Sequence, residues 1–350
     1  KKFTGLNSRT LHDSTVAELK RLWQKQADEL STISYPALNK RTDKYPADYL
    51  LPVATESDDI IVLKHSKART AAFVRIDAAG NEHLLLNIGY QMESNFKYSA
   101  GKIVWDEFRY DTRFQKRSFN VINIYDINKG EYKQLTHRSR LFSPCLSPDG
   151  KSIAVIKIGL DNAFKLVELD AKTGKEIRSY PNVYNYFLQT PAFNNEGDKL
   201  LSVAVSKEGA ALLETSRTDG SSLIIFPFQR QQLSRPVYVN QNIIFSAHYN
   251  GLNNIYSIIP GSQSIRALTS VPFGAANPSY SSRTKKLLFN NYQIRGYDVA
   301  AVSLSGVQGP PLSNIHDTFI NYAAPLARQE GASSVFDSVP AIKYPVKPYR

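Results

Sequence analysis

The chain has one cysteine, one methionine and two tryptophans in 350 residues. A lone Cys145 excludes an internal disulfide and any cysteine-rich metal centre, and its place between Pro144 and Leu146 reads as a buried, inert thiol. No apolar run reaches the roughly 18 residues of a membrane-spanning helix, so this segment does not itself cross a bilayer in that way. The motifs of common catalysts are missing as well: no Gly-x-Ser-x-Gly elbow, no His-Glu-x-x-His helix and no phosphate-binding loop. The six histidines, His12, His65, His83, His137, His248 and His316, are scattered without helical metal-ligand spacing. The expectation is therefore no catalytic residues, no metal and no cofactor in this segment.

What is present is a globular composition, 42% hydrophobic and 11% aromatic, able to bury a large core. Twenty Tyr and 17 Phe with frequent Val, Ile and Thr lean toward sheet. A formal charge of +12 implies attraction to something acidic, and charge alone does not choose among protein, lipid, glycan and nucleic acid.

The architecture follows from an internal repeat. Its clearest copy is Pro144-Cys145-Leu146-Ser147-Pro148-Asp149-Gly150-Lys151, and weaker copies begin at Pro52, Asn95, Pro191, Pro236 and Pro278, at intervals of 42 to 49 residues. Each copy reads as strand, tight hairpin, strand, variable loop, strand, second hairpin, strand. The second hairpin recurs as Ile124-Tyr125-Asp126, with Gln134-Leu135-Thr136 after it, and as Ala171-Lys172-Thr173-Gly174. Strand repeats of this period are propeller blades, because one four-stranded sheet cannot cover both its faces without neighbours. The expected fold is all-β, a six-bladed β-propeller over 46–312.

Two flanking segments complete the division. Residues 1–45 carry one amphipathic helix from about Thr15 to Leu30, signalled by the capping-box spacing Thr15 to Glu18 and the stripe Val16, Leu19, Leu22, Trp23 and Leu30. That stripe is expected to pack on the propeller or on an upstream domain. Residues 313–350 read as an extended connector, since Pro340, Pro345 and Pro348 forbid a continuous helix. Both ends read as cuts in a longer chain.

Ser147-Pro148-Asp149-Gly150-Lys151 followed by Ile-Tyr-Asp and Gln-Leu-Thr patterns resembles the repeat of the TolB-type periplasmic propellers, over about residues 46–312. The helix and the Tyr344-Pro345-Val346-Lys347-Pro348-Tyr349 tail also resemble connectors of large Bacteroidota envelope proteins. In those, a TolB-like propeller lies between a zinc-peptidase-like domain and an outer-membrane β-barrel. The resemblance implies a periplasmic, outer-membrane-associated docking platform. The chain lacks an N-terminal domain of TolB size, so TolB's own contacts do not transfer.

Function is expected in the loops that join second to third strands and blade to blade, which emerge on one face of the disk. The blade-two loop, residues 108–117, is long, aromatic and basic. Arg109, Tyr110, Arg113, Phe114, Lys116 and Arg117 there, with Arg138, Arg140, Arg235, His248 and Arg295 from other loops, form the expected partner face. Lys64, Lys67, Arg69 and Arg230 add charge to it; Asp106, Glu107, Asp111 and Asp161 offset part. His65, His137 and His248 fall in such loops and read first as polar surface. Arg beside Tyr and Phe is the mixture of interface anchors. The first reading is a non-catalytic protein-binding scaffold in the cell envelope with an acidic partner surface. The alternative is an accessory, substrate-gating propeller of a peptidase whose catalytic domain lies elsewhere. No recognised nucleic-acid module is present, and nucleic acid is not expected.

Overall fold

The computed structural model describes residues 4–42, 44–114, 116–262, 264–304, 309–315, 317 and 320–331. His316 and the tail prolines Pro340, Pro345 and Pro348 lie outside the described residues. Six antiparallel sheets form a ring: blades 1 to 6 occupy 47–87, 96–134, 141–180, 187–229, 234–267 and 275–303. Strands within a blade are bonded in chain order, and the first strand of each touches the first strand of the next, which places these six innermost. Blades 1 to 5 have four strands; blade 6 has three among the described residues.

Burial explains the strand sequences. The second strand of each blade is covered on both sides by neighbouring blades, so it reads as an apolar run rather than an alternation. Ile153–Ile156 and Leu287–Phe289 are examples. Six separate apolar clusters result, each filling the gap between two blades. A blade therefore has no core of its own.

The repeated proline has a structural cause. Pro52, Pro144, Pro191, Pro236 and Pro278 each follow a residue of positive φ: Leu51 (58°), Ser143 (51°), Thr190 (44°), Arg235 (49°) and Asn277 (55°). At the same points the inner strands slip register against the second strands. Each is a bulge, where the proline's missing N–H costs no ladder bond. Blade 2 has Phe96 in place of proline and pairs without a slip.

Ring closure falls to the seam between blades 6 and 1, where blade 6 gives the apolar cluster only Leu288 and Val299 among its buried members. Polar bonds take over. The Asn290 amide donates to Tyr49 O and accepts from Leu51 N (2.8 Å), spanning the blade 1 bulge. Asp48 accepts from Tyr297 N at 2.9 Å. Arg41 donates to Ala47 O and Arg295 O and lies 2.8 Å from the Asp298 carboxylate. Gly296, at φ 109°, is required here, because a Cβ would stand 2.6 Å from Ala47 O.

The chain ahead of blade 1 straps this seam. Ile33 N bonds Ser270 O (2.7 Å), Leu38 N bonds Val299 O (2.8 Å) and Lys40 N bonds Gly80 O (2.9 Å), crossing from blade 5 over blade 6 to blade 1. Tyr35 stands edge-on to Phe289, centroids 5.2 Å apart. After blade 6 the chain returns along blade 5, with Pro311 bridging Arg266.

Helix α1 spans Ser8–Glu29, starting earlier than the expected Thr15 because Asn7 caps it, accepting from Thr10 N at 2.8 Å. Thr15 lies inside the helix and donates to Leu11 O. No residue of α1 is buried, Val16, Leu19 and Leu22 of its stripe are half-buried, and Trp23 donates to the Tyr322 hydroxyl at 2.7 Å. Within the tail, a short helix α2, Ala324–Gln329, begins with Pro325 in its first turn.

Blades 3 and 4 share one further staple. Arg217 holds Glu168 bidentately at 2.8 and 2.7 Å and stacks on Phe193, and Tyr180 donates to the same carboxylate. Burial pushes the Glu168 carboxyl up, but the hydrogen bonds from Arg217 and Tyr180 outweigh it and hold it below its ordinary value.

Two outcomes follow. Asn290→Ala leaves Tyr49 O and Leu51 N unsatisfied in the seam and lowers stability by about 2–4 kcal/mol in urea denaturation. Arg217→Met strands a buried carboxylate and costs about 2–3 kcal/mol at neutral pH. Because the folded Glu168 pKa is depressed, its contribution is present above the unfolded carboxylate pKa and lost as pH falls through the folded value. The urea midpoint of the wild type therefore drops more between pH 7 and pH 4 than that of Arg217→Met.

Candidate binding face and axial channel

One end of the ring carries tight hairpins of repeated sequence. Ser147 and Gly150 close one (2.9 Å), and Asn194 and Gly197 close its counterpart (3.2 Å). The other end carries the connections 88–95, 111–117, 135–140, 159–163, 181–186, 230–233, 248–253 and 268–274, which share no pattern. Their variety marks this end as the specific one.

Its tallest feature rises from blade 2. The strands Lys102–Tyr110 and Ser118–Asp126 stay paired out to Tyr110 and Ser118, so Phe108, Arg109 and Tyr110 are strand residues and the loop proper is 111–117. Alternation puts Phe108 and Tyr110 on one side, where Tyr90, Phe108 and Tyr110 stack edge-on at 6.0 and 4.9 Å. Asp111 organises the tip: its carboxylate accepts from Arg113 N (2.9 Å) and Phe114 N (3.1 Å), and its N–H bonds Arg117 O. Those two amides, with Arg117 and Arg138 nearby, hold the Asp111 carboxyl below its ordinary value. The Arg113 guanidinium lies over the Phe114 ring at 5.3 Å.

Tyr110 (65% exposed), Phe114, Lys116, Arg117, Arg138 and Arg140 thus share one exposed sector with Arg113. Arg140 is anchored through Nε to Ile158 O at 2.9 Å. Arg109 is less free, because it pairs with the buried Glu107 carboxylate, which also accepts from Gly89 N and Trp105 Nε1. A cleft of about 580 Å³ opens beside Tyr90, between His65, Lys67 and Gln91. A larger one, about 620 Å³, lies between blades 5 and 6 and is lined by Asn240, Ser262, Arg266 and Lys285.

Sequence reasoning missed the apolar half of this face. Leu160 (90% exposed) and Phe187 stand on blades 3 and 4 with Val183 and Tyr184 (78%) in the connection between them, Tyr90 and Met92 precede blade 2, Phe273 precedes blade 6 and Ile294 (97%) belongs to it. Tyr184 stacks on Tyr186 and Tyr186 meets Phe228, so these rings are held in place. The legible signal was large apolar residues inside otherwise polar connections.

Other expected residues lie apart. Lys64 is buried in its strand and paired with Glu82 at 2.6 Å, and Asp106 and Glu107 are buried rather than offsetting the face. His248 is exposed on blade 5, and Arg295 sits at the closing seam. His137 contacts Gln134, while the half-buried His65 is drawn down by burial. Among the described residues no three His, Cys, Asp or Glu form a metal-binding group.

Arg235 is the one that departs furthest. Its guanidinium donates to Asn95 Oδ1 (2.9 Å) and to Ser94 O, at the start of blade 2. Blades 2 and 5 stand opposite each other in a ring of six, so these bonds cross the axis. Arg235 spans the central channel instead of lining the open face. Cys145, on the inner strand of blade 3, is buried; burial pushes its thiol up and Lys97 pulls it back.

No family model and no curated protein matches the chain. Solved structures do. TolB from Acinetobacter baumannii aligns with 76% of this chain at TM-score 0.54 and 13% identity, and the aligned part is 65% of that TolB chain. The fold is a six-bladed propeller of the kind seen in TolB. The acylaminoacyl peptidase of Pyrococcus horikoshii aligns with 81% of this chain and 46% of its own, at TM-score 0.52 and 12% identity. Oligogalacturonate lyase from Vibrio parahaemolyticus gives 75% and 79%, TM-score 0.52 and 11% identity. At such identities the shared property is the fold alone.

Asp111→Ala removes the acceptor for two tip amides, and hydrogen exchange at Arg113 and Phe114 then accelerates severalfold while exchange in the blade 2 strands is unchanged. The depressed pKa means the tip is ordered above the ordinary carboxylate range and loosens as pH falls through the folded value.

Proposed function

We propose that this propeller is a non-catalytic binding platform that captures a protein partner on the face of variable connections. The observation that carries it is the coincidence, on that face, of a basic sector (Arg113, Lys116, Arg117, Arg138) with fixed, exposed rings (Tyr90, Tyr110, Phe114, Tyr184). Cationic side chains steer an acidic surface into place, and aromatic side chains that lose little entropy supply the contact energy. The net charge of +12 favours the same kind of partner. The resemblance to TolB supports a periplasmic site, and the flanking segments support association with an outer-membrane β-barrel. No described helix is long and apolar enough to cross a membrane.

A second reading, an accessory propeller that gates substrate for a peptidase domain elsewhere in a longer chain, is favoured by the match to a peptidase of which the aligned region is under half. The two differ in what the face holds: a stable partner or passing peptides.

A photo-crosslinking residue placed at Phe114 or Tyr184 in the full-length protein in native membranes captures a discrete partner, whereas one at Lys151 on the hairpin face does not. Arg113→Glu, Lys116→Glu and Arg117→Glu together reduce that capture about tenfold, roughly 1.4 kcal/mol, with the loss shrinking at high salt. Equal crosslinking from both faces, or capture indifferent to the triple change, overturns the reading.

A further inference from the structure

Two cationic side chains, Arg235 and Lys97, meet at the axial channel. Arg235 reaches across the axis from blade 5 to Asn95 and Ser94. Lys97, on the inner strand of blade 2, is drawn below its ordinary value by burial, which the Cys145 thiol opposes and Arg235 reinforces, and among the described residues it has no carboxylate partner. Both side chains are surrounded by protein yet keep some accessible surface. The carboxylates that Arg235 feels are Glu93, exposed near the channel mouth, and Asp106. Asp106 is buried and tied to Asn120 Nδ2 at 2.8 Å, with Gln91 bonded to its backbone O.

Donor capacity tells the same story. A guanidinium has five N–H donors and an ammonium three. Arg235 uses two on Asn95 and Ser94, and the Lys97 ammonium meets no acceptor among the described residues. Two neighbouring cations withdrawn from bulk water, with donors to spare, are costly unless a counter-charge joins them.

We propose that the channel is a site for a small free oxyanion, a carboxylate, phosphate or sulfate group, held between Lys97 and Arg235. Arg235 supplies a planar pair of donors and Lys97 a point charge, the usual division of labour in oxyanion sites. Burial raises the Asp106 carboxyl to about 7, so near neutral pH it is only partly ionised and leaves room for an external anion. Lys97, Arg235, Glu93, Asp106 and the Cys145 thiol are the titratable groups facing this space. Over pH 6 to 8 the ionisation of Asp106 competes with the guest for Arg235.

The test is isothermal titration of the protein with sodium sulfate, whose charge is constant over this range, and separately with sodium succinate, at fixed ionic strength. The expected result is saturable binding of at least one anion, weakened about tenfold or more by Lys97→Met and unchanged by Lys129→Gln on the hairpin face. Affinity falls from pH 6 to pH 8, and Asp106→Asn flattens that dependence. Should Lys97→Met fail to fold, Lys97→Arg, which keeps the charge, retains binding, and the wild-type titration decides. No saturable heat with either anion, or binding indifferent to Lys97→Met, overturns the proposal.

Discussion

A ring of sheets that own no private core is stable only when its last sheet meets its first. Each apolar cluster lies between two blades, so an open ring would expose two half-cores at once and lose the curvature that aligns the inner strands. In this chain the closing seam is the one with the fewest apolar contributions from its second partner, and directional bonds replace them: Asn290 across the blade 1 bulge, Asp48 on Tyr297 N, Arg41 between Ala47 and Asp298. Such bonds add less than apolar area would, but they fix register, which a slippery apolar seam would not.

The division of labour between the two ends follows from that rigidity. Hairpins on one end are fixed by Asx and Gly geometry and keep their sequence because the turns demand it. Connections on the other end only have to span a given gap, so their residues are released for contact, and the blade 2 hairpin uses this freedom to raise an aromatic ladder above the disk. The channel between the ends is crossed at its axis by Arg235, whose positive φ at the blade 5 bulge accompanies a side chain running to the opposite blade.

Much of the fold was legible because its repeat is imposed by backbone geometry. Proline recurs where an inner strand slips register, and Gly150 and Gly174 recur where φ is positive, so Pro144 to Gly174 displays a whole blade in its letters. The candidate face was legible only in its charged part. Arg113 and Lys116 stand out in a sequence, whereas Leu160 and Tyr184 look like any core residue until the chain is folded around them. Errors cluster at strand ends: Lys64, Asp106 and Glu107 were read as loop residues but belong to strands that continue beyond the apolar run, where their charges are internally paired or buried. Arg235 was misplaced for a different reason. Nothing local distinguishes a side chain at a bulge that runs to the far blade from one that turns outward.

The strap formed by Ile33, Leu38 and Lys40 gives the ring a mechanical property. Its three backbone bonds to blades 5, 6 and 1 are spaced along one segment, so a pull on the preceding chain meets the Ile33 bond first and reaches the other two only through it. The return path at Pro310 to Leu312 runs along blade 5, the same blade on which the strap begins. Tension between the two ends of the chain therefore enters at the 268–274 connection and the outer edges of blades 5 and 6, and the inner strands stand outside the line of force.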